Sequence, residues 1–135
     1  LQAGILIEKL RIFDSEITMR NKIAKLYTAN LNESCITPYI PDNYSSSWAQ
    51  YSVVLKDEEE REKVVLGLSK KRIPSMIYYK IPLHLQKVFK YLNYDSGDLP
   101  KSESIANKII SLPMHPYLKK TDQDYIINEL NSLTL

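Results

Sequence analysis

Apolar side chains recur along the first 31 residues in alternating steps of four and three: Leu6, Leu10, Phe13, Ile17, Ala24, Tyr27 and Leu31 keep the rhythm, with Arg20 the polar member of the series. That spacing marks one face of an α-helix. No Gly or Pro interrupts it after Gly4, so the helix is expected to run for about 30 residues, roughly 45 Å at the standard rise. A domain of this size is narrower than that, and the helix must project beyond it. Leu1 has no capping residue ahead of it and is not a methionine, which reads as a helix cut rather than begun.

Past Asn32 the pattern changes. Ile36-Thr37-Pro38-Tyr39 and, after a polar turn at Pro41-Asp42-Asn43, the stretch Trp48 to Lys56 with Tyr51, Val53 and Leu55 alternating predict two strands. Asp57 with Glu60 three positions on has the form of a capping box, opening a helix that turns Val64, Val65 and Leu68 inward and ends in Lys70-Lys71. Ile73 to Tyr79 is β-branched and aromatic enough for a further strand, which Pro82 stops. Short helical turns are expected over Pro82 to Asn93, and Asp95-Ser96-Gly97-Asp98 is a turn. Pro100 opens a helix to about Ile110. Ser111 to Met114 adds a short strand, and Thr121 with Asp124 starts a last helix carrying Tyr125, Ile126, Ile127, Leu130 and Leu133. The expected fold is α+β: a small, mostly antiparallel sheet of three or four strands with helices on one face and the long first helix leaning outward. Residues 1–31 form a connecting helix in this reading, and 32–135 a small domain.

Composition supports a folded chain, with 44% hydrophobic and 25% charged residues. It also narrows the class. Nothing approaches a bilayer-spanning apolar run and the start lacks a signal core, so the expectation is a cytoplasmic protein without a membrane partner. The single cysteine, Cys35, supports neither a disulfide framework nor a zinc site and reads as an inert buried thiol. The net charge of +2 conceals an asymmetry: Lys63 to Tyr94 carries seven bases and no acid, while the remaining bases face all 16 acids. Such a tract points to an anionic partner. Ten tyrosines suit half-buried walls where a ring packs and a hydroxyl finds a partner.

A complete catalytic set is absent. The three glycines are scattered, His84 and His115 have no metal-ligand spacing, and nothing resembles a nucleophile elbow; neither catalytic nor metal residues are assigned. The informative stretch is Ile73 to Gln86, which sets Tyr78, Tyr79, His84 and Gln86 around a proline-fixed strand end. There, tyrosine and histidine can hydrogen-bond sugar hydroxyls or phosphate oxygens, with lysines supplying attraction. Equally, one tyrosine of the pair can be core, since consecutive strand residues face opposite ways. Trp48 and Tyr51 read as packing residues. The basic tract interleaved with Tyr78, Tyr79, Phe89, Tyr91 and Tyr94 also admits a nucleic-acid binding module.

Four ordered stretches together resemble the DegT/DnrJ/EryC1/StrS family of sugar aminotransferases: Leu1 to Leu10 with Arg20, Ala24 and Tyr27; Trp48-Ala49-Gln50-Tyr51-Ser52-Val53; Tyr78-Tyr79-Lys80-Ile81-Pro82-Leu83-His84-Leu85-Gln86; and Ser111-Leu112-Pro113-Met114-His115-Pro116-Tyr117. The resemblance implies the C-terminal small domain of a fold-type I enzyme, usually a homodimer. In such an enzyme pyridoxal phosphate is held by a lysine upstream of residue 1, so this stretch alone would lack cofactor-binding residues and be inactive. It further implies amino transfer from glutamate to a nucleotide-linked keto-sugar, of the kind used in polysaccharide biosynthesis, with Tyr78, Tyr79 and His84 as substrate contacts. Sugar dehydratases of the same fold differ at that lysine and stay as the alternative. Three departures stand out: Tyr78 where many members have histidine, Lys80 where many have proline, and Arg72 where a glycine often precedes the isoleucine.

Overall fold

A computed structural model describes residues 2–134. Helix α1 spans Gln2–Asn30, as the long apolar rhythm requires. Its two halves differ. Ile5, Leu6, Ile7, Leu10 and Phe13 lie exposed on the first half, while Ile23, Ala24 and Tyr27 on the second are buried in the core. Arg20, the polar member of the stripe, donates to the Trp48 carbonyl at 2.8 Å, so its place in the rhythm is a hydrogen bond rather than an apolar contact.

Strand β1 (Tyr51–Val54) pairs antiparallel with β2 (Ile109–Leu112), Tyr51 opposite Leu112 and Ser52 opposite Ser111. Period-two alternation sorts the sheet. Tyr51, Val53, Ile110 and Leu112 face the core and are almost fully buried; each contributes about 1.5–3 kcal/mol by leaving water. Tyr27 and Trp48 stack obliquely on Tyr51, with centroids 4.9 and 5.6 Å away. Ser52 and Ser111 occupy the opposite face.

The expected three or four strands are corrected to two among the described residues. Each edge is extended by one isolated bridge, Ile36 to Val54 and Met76 to Ser111. Prolines explain the loss: Pro38 follows the first bridge, Pro74 precedes the second, and neither can donate to a ladder. β2 starts at Ile109 rather than Ser111, because α3 (Pro100–Lys108) ends two residues earlier than expected.

Helix α2 (Glu58–Lys70) opens at the expected Asp57 cap: Glu60 N–H donates to Asp57 Oδ1 at 2.8 Å, while the return bond to Glu60 Oε2, at 2.9 Å, comes from Lys56 N–H, one residue ahead of the cap. The corresponding reading at Thr121 fails. The cap of α4 (Lys120–Leu133) falls two residues earlier, at Lys119, with no side-chain cap, and Thr121 Oγ1 turns to Asp122 instead. α4 packs on α2 and α1, and α2 also meets α3 and β2. Helices were expected on one sheet face; instead α3 borders the face carrying Ser52 and Ser111. Cys35 is buried, which pushes its thiol pKa up. Among the described residues, no helix is long and apolar enough to cross a membrane.

Candidate functional site

The sheet face turned from the core forms the floor of an open groove of about 480 Å³. Ser52 and Ser111, cross-strand partners, join there through Oγ atoms 2.7 Å apart. Gln50 stands at the start of β1, Ser102, Ile105 and Ala106 of α3 make one wall, and Met76, Tyr78, Tyr79, Pro82 and Leu83 make the other. Among the described residues, no charged side chain lines it.

Tyr78 and Tyr79 both enter this groove. They can do so because the strand predicted over Ile73 to Tyr79 shrinks to the Met76 bridge, and residues 78–79 lie in a turn, where neighbours need not point to opposite faces. Neither is core: they are 50% and 66% exposed. Their hydroxyls contrast with those of the three tyrosines that are hydrogen-bonded within the fold. Tyr27 donates to the Pro113 carbonyl at 3.0 Å, Tyr51 shares a hydrogen with Thr28 at 2.8 Å, and Tyr117 donates to Glu16 at 2.6 Å. Among the described residues, the Tyr78 and Tyr79 hydroxyls have no such protein partner.

His84 is not beside them. It sits in the first of two 3₁₀ turns, Leu83–Leu85 and Lys87–Leu92, and is only 7% exposed. Its Nε2 lies 3.1 Å from Glu103 Oε1, and its ring meets Tyr94 edge-on. Glu103 also accepts from the Gly97 and Leu99 amides and from Ser96 Oγ. Partial burial opposes its charged form, yet the Gly97 amide and His84 prevail and its pKa is lowered. A second groove of about 390 Å³, lined by Lys87, Lys90 and the carboxylate of Asp95 among others, runs along the far side of this turn beside His84. Pro82 and Leu83 face one groove, His84 to Lys87 the other.

Several positioning residues were not legible from the sequence. Arg61, 1% exposed, donates to the Ala106 carbonyl at 3.0 Å and to Glu58 and Glu62, fastening the groove wall on α3 to α2. An arginine between glutamates on a helix ordinarily reads as a solvated face. Trp48, two residues before Gln50, has φ 49°, a conformation that costs a bulky residue energy. Three contacts hold it: the Arg20 bond to its carbonyl, its Nε1 to Asn21 Oδ1 at 2.9 Å, and its amide to Ser46 Oγ at 3.1 Å. Through Trp48, α1 thereby fixes where Gln50 stands.

The residues here do not form a seat for pyridoxal phosphate. A Schiff-base lysine must point into a partly enclosed site, whereas no lysine lines the first groove and every described lysine except the half-buried Lys108 is exposed.

A profile of the DegT/DnrJ/EryC1/StrS aminotransferase family matches residues 1–131. The UDP-2-acetamido-2-deoxy-3-oxo-D-glucuronate aminotransferase of Pseudomonas aeruginosa is 40% identical over 119 residues, covering 87% of this chain and 32% of that protein. The dTDP-3-amino-3,6-dideoxy-alpha-D-galactopyranose transaminase of Aneurinibacillus thermoaerophilus is 30% identical over 132 residues, covering 97% and 35%. In three dimensions, the chain is similar to a DegT DnrJ EryC1 StrS aminotransferase from Brucella abortus, with TM-score 0.89 and 41% identity over 98% of this chain and 35% of that one. The chain thus spans about a third of the length of the proteins it matches.

Proposed function

Because the chain belongs to the DegT/DnrJ/EryC1/StrS aminotransferase family, we propose that it is the substrate-facing small domain of an enzyme that moves an amino group from glutamate to a nucleotide-linked keto-sugar. The observation carrying this reading is the pair Tyr78 and Tyr79, adjacent, exposed and with hydroxyls unclaimed by protein, on an open groove. Pyridoxal phosphate, held by residues outside this stretch, supplies the electron sink that amino transfer needs. The task of these residues is binding and orientation. Tyr78 and Tyr79 hydrogen-bond the sugar directly. His84, fixed by Glu103, sets the turn that separates the two grooves, and Lys87 and Lys90 beyond it attract the diphosphate. The whole enzyme is a cytoplasmic homodimer in this reading, and these 135 residues alone neither form a specific imine with pyridoxal phosphate nor transaminate.

The test separates the two half-reactions in the enzyme that contains the cofactor segment. Tyr78→Phe, Tyr79→Phe and His84→Ala each impair use of the sugar nucleotide more than the reaction with glutamate. At Tyr78 and Tyr79 a lost hydrogen bond to a polar ligand costs on the order of 1–3 kcal/mol, roughly five- to 150-fold in the acceptor's kcat/KM, while His84→Ala acts by loosening the turn that His84 and Glu103 hold. Equal losses in both half-reactions, or none, would remove these residues from the substrate wall.

A further inference from the structure

The first groove combines two properties seldom found together: it is lined without a single charge, yet its floor is a strip of hydrogen-bonding groups. The Ser52 and Ser111 hydroxyls share one hydrogen between them. Each hydroxyl has one proton and two lone pairs, so the pair retains one free donor and several acceptor sites. Gln50, exposed at the same end of the sheet, adds an amide that both donates and accepts. Met76, Ile105, Ala106 and Ile109 supply methyl and methylene surface around this strip.

The basic residues of the neighbouring tract stay out. Lys80 follows Tyr79 directly and Lys87 and Lys90 border the other groove, but none lines this one. A carboxylate or phosphate entering here would surrender hydration without meeting a cation, a loss that uncharged hydroxyl and amide groups recover through hydrogen bonds. Ring hydroxyls and a carboxamide can each donate to and accept from this strip, and a carboxamide's methyl group suits the apolar wall.

We propose that this groove is a subsite for an uncharged pyranose edge bearing hydroxyl and acetamido groups, with Gln50, Ser52 and Ser111 as its specificity-determining residues. Acidic parts of the same ligand lie outside it. This deepens the nucleotide-sugar reading and rests on it.

Nuclear magnetic resonance titration of the ¹⁵N-labelled enzyme that contains the cofactor segment tests the subsite with four probes: the methyl glycoside of N-acetylglucosamine, methyl glucuronide, UDP, and UDP-N-acetylglucosamine. The uncharged glycoside is expected to bind in the millimolar range and to shift Gln50, Ser52, Ser111 and Tyr79, with the glucuronide at least about tenfold weaker. Gln50→Leu and Ser111→Ala each weaken the uncharged probe by about fivefold or more, while the unchanged remainder of the spectrum certifies folding. Equal or tighter binding of the glucuronide overturns the subsite, as does an uncharged probe that leaves these residues unmoved. If UDP-N-acetylglucosamine shifts Tyr78 and Tyr79 but bypasses the serines and Gln50, the subsite falls and the nucleotide-sugar reading stands. Binding of the simple glycoside with no response to either UDP compound has the opposite meaning: the groove's chemistry holds and the nucleotide-sugar reading falls.

Discussion

Arg72 offers a direct test of how local backbone geometry sets stability here. Helix α2 ends in a Schellman motif: Ile73 N–H donates to the Leu68 carbonyl at 2.9 Å and Arg72 N–H to the Ser69 carbonyl at 3.0 Å. The accompanying apolar contact comes from Ile73 and Leu68, both buried. This motif places one residue in the left-handed region, and glycine usually fills it. Here it is Arg72, with φ 59°. A left-handed non-glycine residue costs about 1–2 kcal/mol, and glycine's extra unfolded-state entropy returns about 0.5–1 kcal/mol of that. Arg72→Gly should therefore stabilise the chain by roughly 0.5–1 kcal/mol, raising Tm by about 2–5 °C. Arg72→Ala controls for the lost charge near the helix C-terminus, which Lys70 and Lys71 continue to supply. Urea unfolding followed by helical circular dichroism and Trp48 fluorescence measures both variants. The reasoning is refuted if alanine stabilises as much as glycine, or if glycine gains nothing over alanine, since only glycine relieves the strain.

Four further outcomes are expected. Tyr27→Phe leaves the part-buried Pro113 carbonyl without its 3.0 Å donor and should cost about 1–3 kcal/mol in equilibrium unfolding; a change within error would show that the carbonyl is satisfied otherwise. Burial raises the phenol pKa of both Tyr27 and Tyr51; the unfolded chain ionises first, so their contribution is intact below about pH 10 and is lost as pH climbs beyond it. A stability profile flat to pH 11 would contradict that, and Tyr27→Phe should flatten the decline. Arg20→Ala removes the 2.8 Å bond to the Trp48 carbonyl, which should cost about 1–2 kcal/mol and red-shift Trp48 emission; unchanged emission would mean that Asn21 and Ser46 suffice. Finally, the exposed Leu6, Leu10 and Phe13 on α1 should drive self-association of the isolated chain, so sedimentation should show a dimer or larger species at high concentration that Leu10→Glu with Phe13→Glu disperses.

The sequence by itself determined what depends on local periodicity and local chemistry. The four-three rhythm defined α1 because helical spacing is a property of neighbouring residues, and the Asp57 to Glu60 capping box defined the start of α2 for the same reason. Alternation over Tyr51 to Leu55 marked β1, and four motifs in order marked the family. Tertiary structure decided everything that needs two distant segments. Single proline-limited bridges, rather than full strands, released Tyr78 and Tyr79 into a turn where both reach one groove. The same chain path carried His84 to the other side, into a buried contact with Glu103, 19 residues away. The Ser52 and Ser111 pair, separated by 59 residues, exists only because β1 and β2 meet in that register. Serines in strands look like ordinary polar-face residues until a partner strand sets two hydroxyls against each other. Arg61 and Trp48 were hidden for a related reason: charge among glutamates suggests solvent, and an aromatic suggests packing, whereas burial against Ala106 and a left-handed backbone held by α1 are fixed only when helices dock.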